Sequence, residues 1–167
     1  MSAPAAAAVR ELAGRVADPE IPVLTIEDLG ILRDVVVDER GRVEVTITPT
    51  YSGCPAMEVI RDDLARTLAE HGYGDVRVRT VLAPAWTTDW MSAEGRAKLT
   101  AYGIAPPGPR RPGPVPVQLI TRPREPVACP RCGSIDTSEI SRFGSTACKS
   151  LHACRACLEP FDHFKTL

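Results

Sequence analysis

Two CxxC pairs near the C-terminus, CPRC at 129–132 and CRAC at 154–157, leave the end of this chain few ways to fold. Between Cys132 and Cys154 lie 21 residues, close to the spacing by which two tight knuckles bring four thiolates to one tetrahedral ion. The 41 residues from Val127 onward could hardly bury a stable core unaided. A bound metal supplies on the order of 10 kcal/mol in modules of this kind. Cys129, Cys132, Cys154 and Cys157 are therefore expected to hold a structural zinc ion in a ribbon. Four thiolates also suit iron or an iron–sulfur cluster, so the ion's identity stays open. Neither pair sits where a helix begins, which argues against two redox-active dithiols. Cys148 is left over, and four ligands already complete a structural site. His152 and His163 could ligate metal, but isolated histidines on short loops are ordinarily surface residues.

Composition divides the chain ahead of this module. PPGPRRPGPVP, residues 106–116, holds six prolines and two glycines, so it can neither form a helix nor join a sheet interior. A semi-rigid extended spacer is the expected result. Residues 1–105 carry a net charge of −5 and residues 127–167 a net of +1. Three segments follow: a first module at 1–105, a Pro-rich linker at 106–126 and a four-cysteine module at 127–167.

In the first module, a helix is expected from about Ala5 to Val16. Strands follow at Ile31–Val37 and Val43–Thr48, joined by a DERG turn, with a third at 75–82. Met57, Ile60, Leu64 and Leu68 form one stripe of an amphipathic helix stopped by Gly72. A last helix spans about Ala93–Tyr102, capped by Ser92 and stopped by Gly103. The order predicts an α+β fold, a small sandwich with helices on one sheet face. Pro55 suits the first position of the central helix, which makes Cys54 its N-cap. A thiol there should ionise more readily than a free one. Packing of a small residue into the corner is the alternative.

Asp18, Glu20, Glu27 and Asp28 crowd a loop-rich stretch, where turns and caps are the ordinary use of such residues. A site role for Asp18, Glu20 or Asp28 requires that Cys54 lie near. Trp86 and Trp90 fall within five residues, fit either for core packing or for a docking surface. With 20 basic against 21 acidic side chains, binding to nucleic acid or a membrane surface through bulk charge is not expected. No run of about 18 apolar residues exists to span a membrane. The Ala-rich opening lacks a basic start and reads as a helix instead of a signal peptide, so a cytoplasmic protein is expected. No Gly-rich loop ending in Lys and Ser or Thr is present, so an ATP-driven step would belong to a partner.

DPEIPVLTIEDLGI, TPTYSGCPAMEVI and APAWTTDWM, occurring in that order, resemble the SufT-like metal–sulfur cluster assembly family over about residues 9–104. With the cysteine module added, the whole chain resembles the PaaD (PaaJ) family of phenylacetyl-CoA epoxidase subunits. The resemblance implies an iron–sulfur cluster assembly-like domain followed by a zinc-ribbon-like module. It makes Cys54 a reactive or metal-handling cysteine and places Asp18 and Glu20 in the family's acidic loop. FGSTACK and EPFDHFK also fit the pattern, which gives Cys148 a transfer or accessory role. Members often carry a further cysteine near the end, where this chain has Thr166, so schemes needing that thiol do not carry over.

The function so implied is that of a non-catalytic maturation factor. It would assist insertion of iron or an iron–sulfur cluster into an epoxidase component, with the zinc structural and the iron in transit. Its partners would be the oxygenase or reductase component and iron–sulfur carrier proteins, and a homodimer stays open. A structural accessory subunit that never handles metal is the alternative. A thiol enzyme is disfavoured, because His71, at the far end of the Cys54 helix, is no base partner.

Overall fold

The computed structural model describes residues 3–109 and 126–167. The described chain divides into two compact units, the first ending at Lys98 and the second beginning at Leu99. Most of the Pro-rich linker lies outside the described residues.

The first unit opens with helix α1 (Ala3–Gly14) and continues through strands β1 (Leu32–Val37) and β2 (Val43–Ile47). Helix α2 (Ala56–Glu70) and strand β3 (Val76–Thr80) follow, all close to the bounds expected from periodicity. β1 and β2 pair antiparallel across a tight turn in which Asp38 Oδ1 accepts from the backbone N–H groups of Arg40 and Arg42. Gly41 takes the positive φ of 78° that this turn requires. β3 pairs parallel to β2, so α2 is the crossover between them. Val43, Val45 and Ile47 are completely buried on one face of β2, opposite Glu44 and Thr46. Ile60, Leu64 and Leu68 of α2 are equally buried, and α1 contributes Val9 and Ala13 to the core. Cutting any of the three α2 side chains to Ala should cost about 2–5 kcal/mol.

Both helix stops named from sequence hold. Gly72, at φ 91°, ends α2, with Tyr73 N–H returning to Leu68 O. Gly103, at φ 90°, ends helix α3 (Ala93–Tyr102). Ser92 caps α3 as expected, its Oγ accepting from Gly95 N–H at 2.8 Å. The start of α2 differs by one residue. Pro55, already at helical φ and ψ, is the cap residue and Ala56 opens the helix, so Cys54 stands one position further out.

The second unit is a four-stranded sheet in the order β4 (Ile104–Ala105), β7 (Pro160–Phe164), β6 (Lys149–Cys154), β5 (Thr137–Ser141). β5–β6 and β6–β7 are antiparallel, the arrangement of a ribbon, and β4 adds parallel to β7. A boundary at residue 105 assigns Ile104 and Ala105 to the first module, but here they complete the ribbon sheet. The unit's small core holds Ala105, Cys129, Cys154 and Phe161, so metal-ligating candidates are themselves part of the packing. No helix among the described residues is long and apolar enough to cross a membrane.

Candidate functional site

The four cysteines of the ribbon converge. Cys129 Sγ lies 3.8 Å from Cys157 Sγ and Cys132 Sγ lies 3.6 Å from Cys154 Sγ, with all four sulfurs within 4.8 Å of one another. Four thiolates about 2.3 Å from one ion at tetrahedral angles would stand about 3.8 Å apart. The set therefore fits a single ion. In a [4Fe–4S] cluster each thiolate binds a different iron, which spreads the sulfurs further than this.

Two knuckles build the site. Gly133 N–H bonds Cys129 O, and Cys129 N–H bonds Ser134 O, which folds the first pair into a turn. In the second, Cys154 N–H bonds Glu159 O and Cys157 N–H points at Cys154 Sγ from 3.5 Å. The Cys157 N–H, with that of Ala156, brings the Cys154 thiol down to about 7. Cys157 moves the other way: the Glu159 N–H favours its thiolate, but burial and the neighbouring thiols push it up to about 12. Four thiols this close cannot all ionise by themselves; a divalent cation removes the conflict. Cys148 is buried outside this set, its sulfur 3.0 Å from Thr146 Oγ1.

A second cluster forms in the first unit. Asp18, buried, accepts from Glu20 N–H at 2.9 Å and Ile21 N–H at 2.8 Å, which curls the loop at 18–21 into a fixed turn. Cys54 is half-buried just ahead of α2, with Ala56 N–H donating to its sulfur. The thiol is nevertheless held above its ordinary value. Burial is the largest cause; the Ala56 N–H at the helix start pulls the other way, and the carboxylates of Glu20 and Asp18 add smaller repulsions on the side of burial. The expectation of an eased ionisation is thus overturned, and for an informative reason. The fold brings Asp18 and Glu20 close enough to Cys54 to be felt by it, which was the condition set for them.

Asp28 does not join them. Its carboxylate takes Lys98 Nζ at 2.8 Å, Thr25 N–H at 3.0 Å and Ser92 Oγ at 3.2 Å, and ties a loop to α3. Burial opposes that charge, but Lys98 and Thr25 hold the carboxyl below the usual range. The tryptophans split. Trp86 is buried, with Nε1 donating to Leu29 O at 2.9 Å, so no surface of paired tryptophans forms. Trp90 is half-buried beneath the Arg33 guanidinium, 3.5 Å from the ring centroid.

His152 and His163 are not loop residues. They lie on β6 and β7, with His152 buried and Ser150 Oγ 3.1 Å from His152 Nε2 and 3.3 Å from His163 Nδ1. The alternation in KSLHAC carried that signal, since Ser150 and His152 share a strand face.

Comparisons with known proteins match the two parts of the chain separately. A family model described as an iron-sulfur cluster assembly protein matches residues 6–80, and one described as the PaaD zinc beta ribbon domain matches residues 114–165. A crystal structure of a domain of unknown function, DUF59, from Bacillus anthracis covers 56% of this chain and 90% of its own, at 28% identity and a TM-score of 0.53. The Fe-S protein maturation auxiliary factor YitW of Bacillus subtilis (strain 168) is 38% identical over 86 residues, 51% of this chain and 83% of that one. The class is therefore an iron–sulfur cluster assembly-like domain joined to a zinc β-ribbon. An Escherichia coli (strain K12) protein, provisionally named as a component of 1,2-phenylacetyl-CoA epoxidase, is 46% identical over 157 residues, 93% of this chain and 90% of its relative. The chain belongs to that PaaD-type family of phenylacetyl-CoA epoxidase subunits.

Proposed function

We propose that this protein is a cytoplasmic, non-catalytic maturation factor that helps insert iron, or an iron–sulfur cluster, into a component of phenylacetyl-CoA epoxidase. One observation carries the reading: the acidic pair Asp18 and Glu20 acts electrostatically on the thiol of Cys54. The same field that opposes a thiolate attracts a cation. A metal ion arriving at Cys54 replaces the proton, and the two carboxylates then stabilise the charge they previously opposed. One thiolate with two carboxylates nearby is a weak site, suited to holding a soft metal briefly and releasing it. The ribbon cysteines Cys129, Cys132, Cys154 and Cys157 hold zinc in a structural role, and Cys148 serves as an accessory thiol. The epoxidase oxygenase or reductase component is the client, with iron–sulfur carriers as donors.

Expression of the epoxidase components with and without this protein tests the proposal. Client subunits made without it should be poor in iron. Co-expression of intact protein should restore the metal, whereas Cys54→Ala should not, although the variant folds and binds its client. Fully loaded subunits from cells lacking the protein would sink the proposal and favour an accessory subunit that only supports the complex.

A further inference from the structure

The second unit contains a cavity of about 610 Å³, in the range of about 300–1,000 Å³ typical of small-molecule sites. It does not include the four metal-ligating candidates and lies wholly among residues of that unit. Ala105, Pro106, Pro126, Val127 and Ala128 give it apolar walls. Ser150, His152 and His163 supply a polar floor from two adjacent strands, and Phe143 stands at the exposed side.

The charged lining is uneven. Among the described residues, Arg142 and Lys165 bring two cations, against one carboxylate, Glu139. The Arg142 guanidinium has no ion pair among the described residues. Lys165 Nζ is held by Arg142 O at 3.2 Å and lies 4.8 Å from the Phe143 ring centroid, with no carboxylate partner among those residues. His163 is neutral near pH 7, because burial and then the charge of His152 bring it down to about 4. A hydroxyl has one proton, so Ser150 can donate to only one of its two imidazole neighbours and must accept from the other. When Ser150 donates to His163 Nδ1, the proton of His163 sits on Nε2, and the ring becomes a donor without carrying charge.

We propose that this cavity binds a small organic carboxylate, its anionic end held by Arg142, Lys165 and His163 and its apolar body against Val127, Ala128 and Phe143. Two cations, joined by the His163 Nε2–H when Ser150 donates to Nδ1, favour an anion over a neutral amide or an amine. Apolar walls favour an organic body over a bare inorganic ion. Such a site gives the ribbon a binding function besides its metal, independent of what Cys54 does.

Benzoate is the probe, titrated into the full chain, metal included, with amide chemical shifts as the readout. Saturable shifts are expected at residues of the cavity, with benzamide and benzylamine binding at least tenfold more weakly. Arg142→Gln and Lys165→Gln should each weaken benzoate about tenfold, and Ser150→Ala several-fold. Arg142 is exposed and outside every ion pair among the described residues, so its variant keeps the fold; Arg61→Gln in the first unit is the unchanged control. Equal affinity for benzoate and benzamide, no saturable binding, or binding indifferent to both cation variants would overturn the proposal.

Discussion

Gly133 and Leu158 adopt the same left-handed backbone conformation, at φ 75° and 65°, each directly after the last cysteine of its knuckle. Both knuckles need that conformation to turn the chain away from the four clustered thiols. Glycine meets the need without strain, whereas a leucine there costs about 1–2 kcal/mol. Leu158 is also 82% exposed, so its side chain gains little burial in return. Leu158→Gly should therefore stabilise the second unit by about 1 kcal/mol, read as a shift in the denaturation midpoint of the metal-bound protein. An unchanged or lower midpoint would mean that Leu158 is held by something its backbone does not reveal.

The ribbon should depend on its ion. Cys154→Ser is expected to unfold the second unit and leave the first folded, because Cys129, Cys154 and Phe161 share one small core. The loss should approach the metal's contribution, on the order of 10 kcal/mol. Circular dichroism with metal analysis checks it, and a strong chelator should reproduce the effect on the unaltered chain. Full metal content in the serine variant would remove Cys154 from the ligand set.

Cys54 should be alkylated with a pH midpoint above the free value of about 8.5, since burial, Glu20 and Asp18 all oppose its ionisation. Glu20→Gln is expected to lower that midpoint. The linkage has a sign: a thiol raised in the folded state leaves stability intact below the unfolded value and removes it as pH rises toward the folded one. Measurements need Cys148 replaced. An unchanged midpoint in the Glu20 variant would separate the acidic loop from the thiol.

His163 should remain neutral at pH 5.5, where an ordinary histidine is mostly charged, because its folded value is about 4. The unfolded chain binds the proton first, so stability falls as pH drops from about 6.5 toward the folded value. Imidazole NMR shifts followed from pH 8 to 5.5 check this, and a midpoint near 6.5 would contradict it.

Asp28→Asn should cost about 2–3 kcal/mol, since it weakens the bonds from Lys98, Thr25 and Ser92 at a buried position. Its depressed value gives stability that is present at neutral pH and lost on acidification below about 4. The variant should therefore show a shallower acid limb in pH-dependent melting. Metal handling at Cys54 should be unaffected, and a defect there would return Asp28 to the site.

The features legible in the sequence are those set by near neighbours. The CxxC spacing fixed which four sulfurs could meet, because each knuckle is a turn of a few residues. Alternation and helical periodicity located β1, β2, β3 and α2, and Ser92, Gly72 and Gly103 marked helix ends through their own backbone needs. Tertiary structure decided what depends on distant partners. Trp86 went to the core by finding Leu29 O, while Trp90 stayed under Arg33. His152 and His163 met across Ser150 only when β6 paired with β7. Cys54 is the clearest case: its place before a helix start was written locally and argued for an eased thiolate. Burial and two carboxylates from the loop at 18–20 reversed the direction, because a charge responds to every group the fold sets around it, wherever that group lies in the chain.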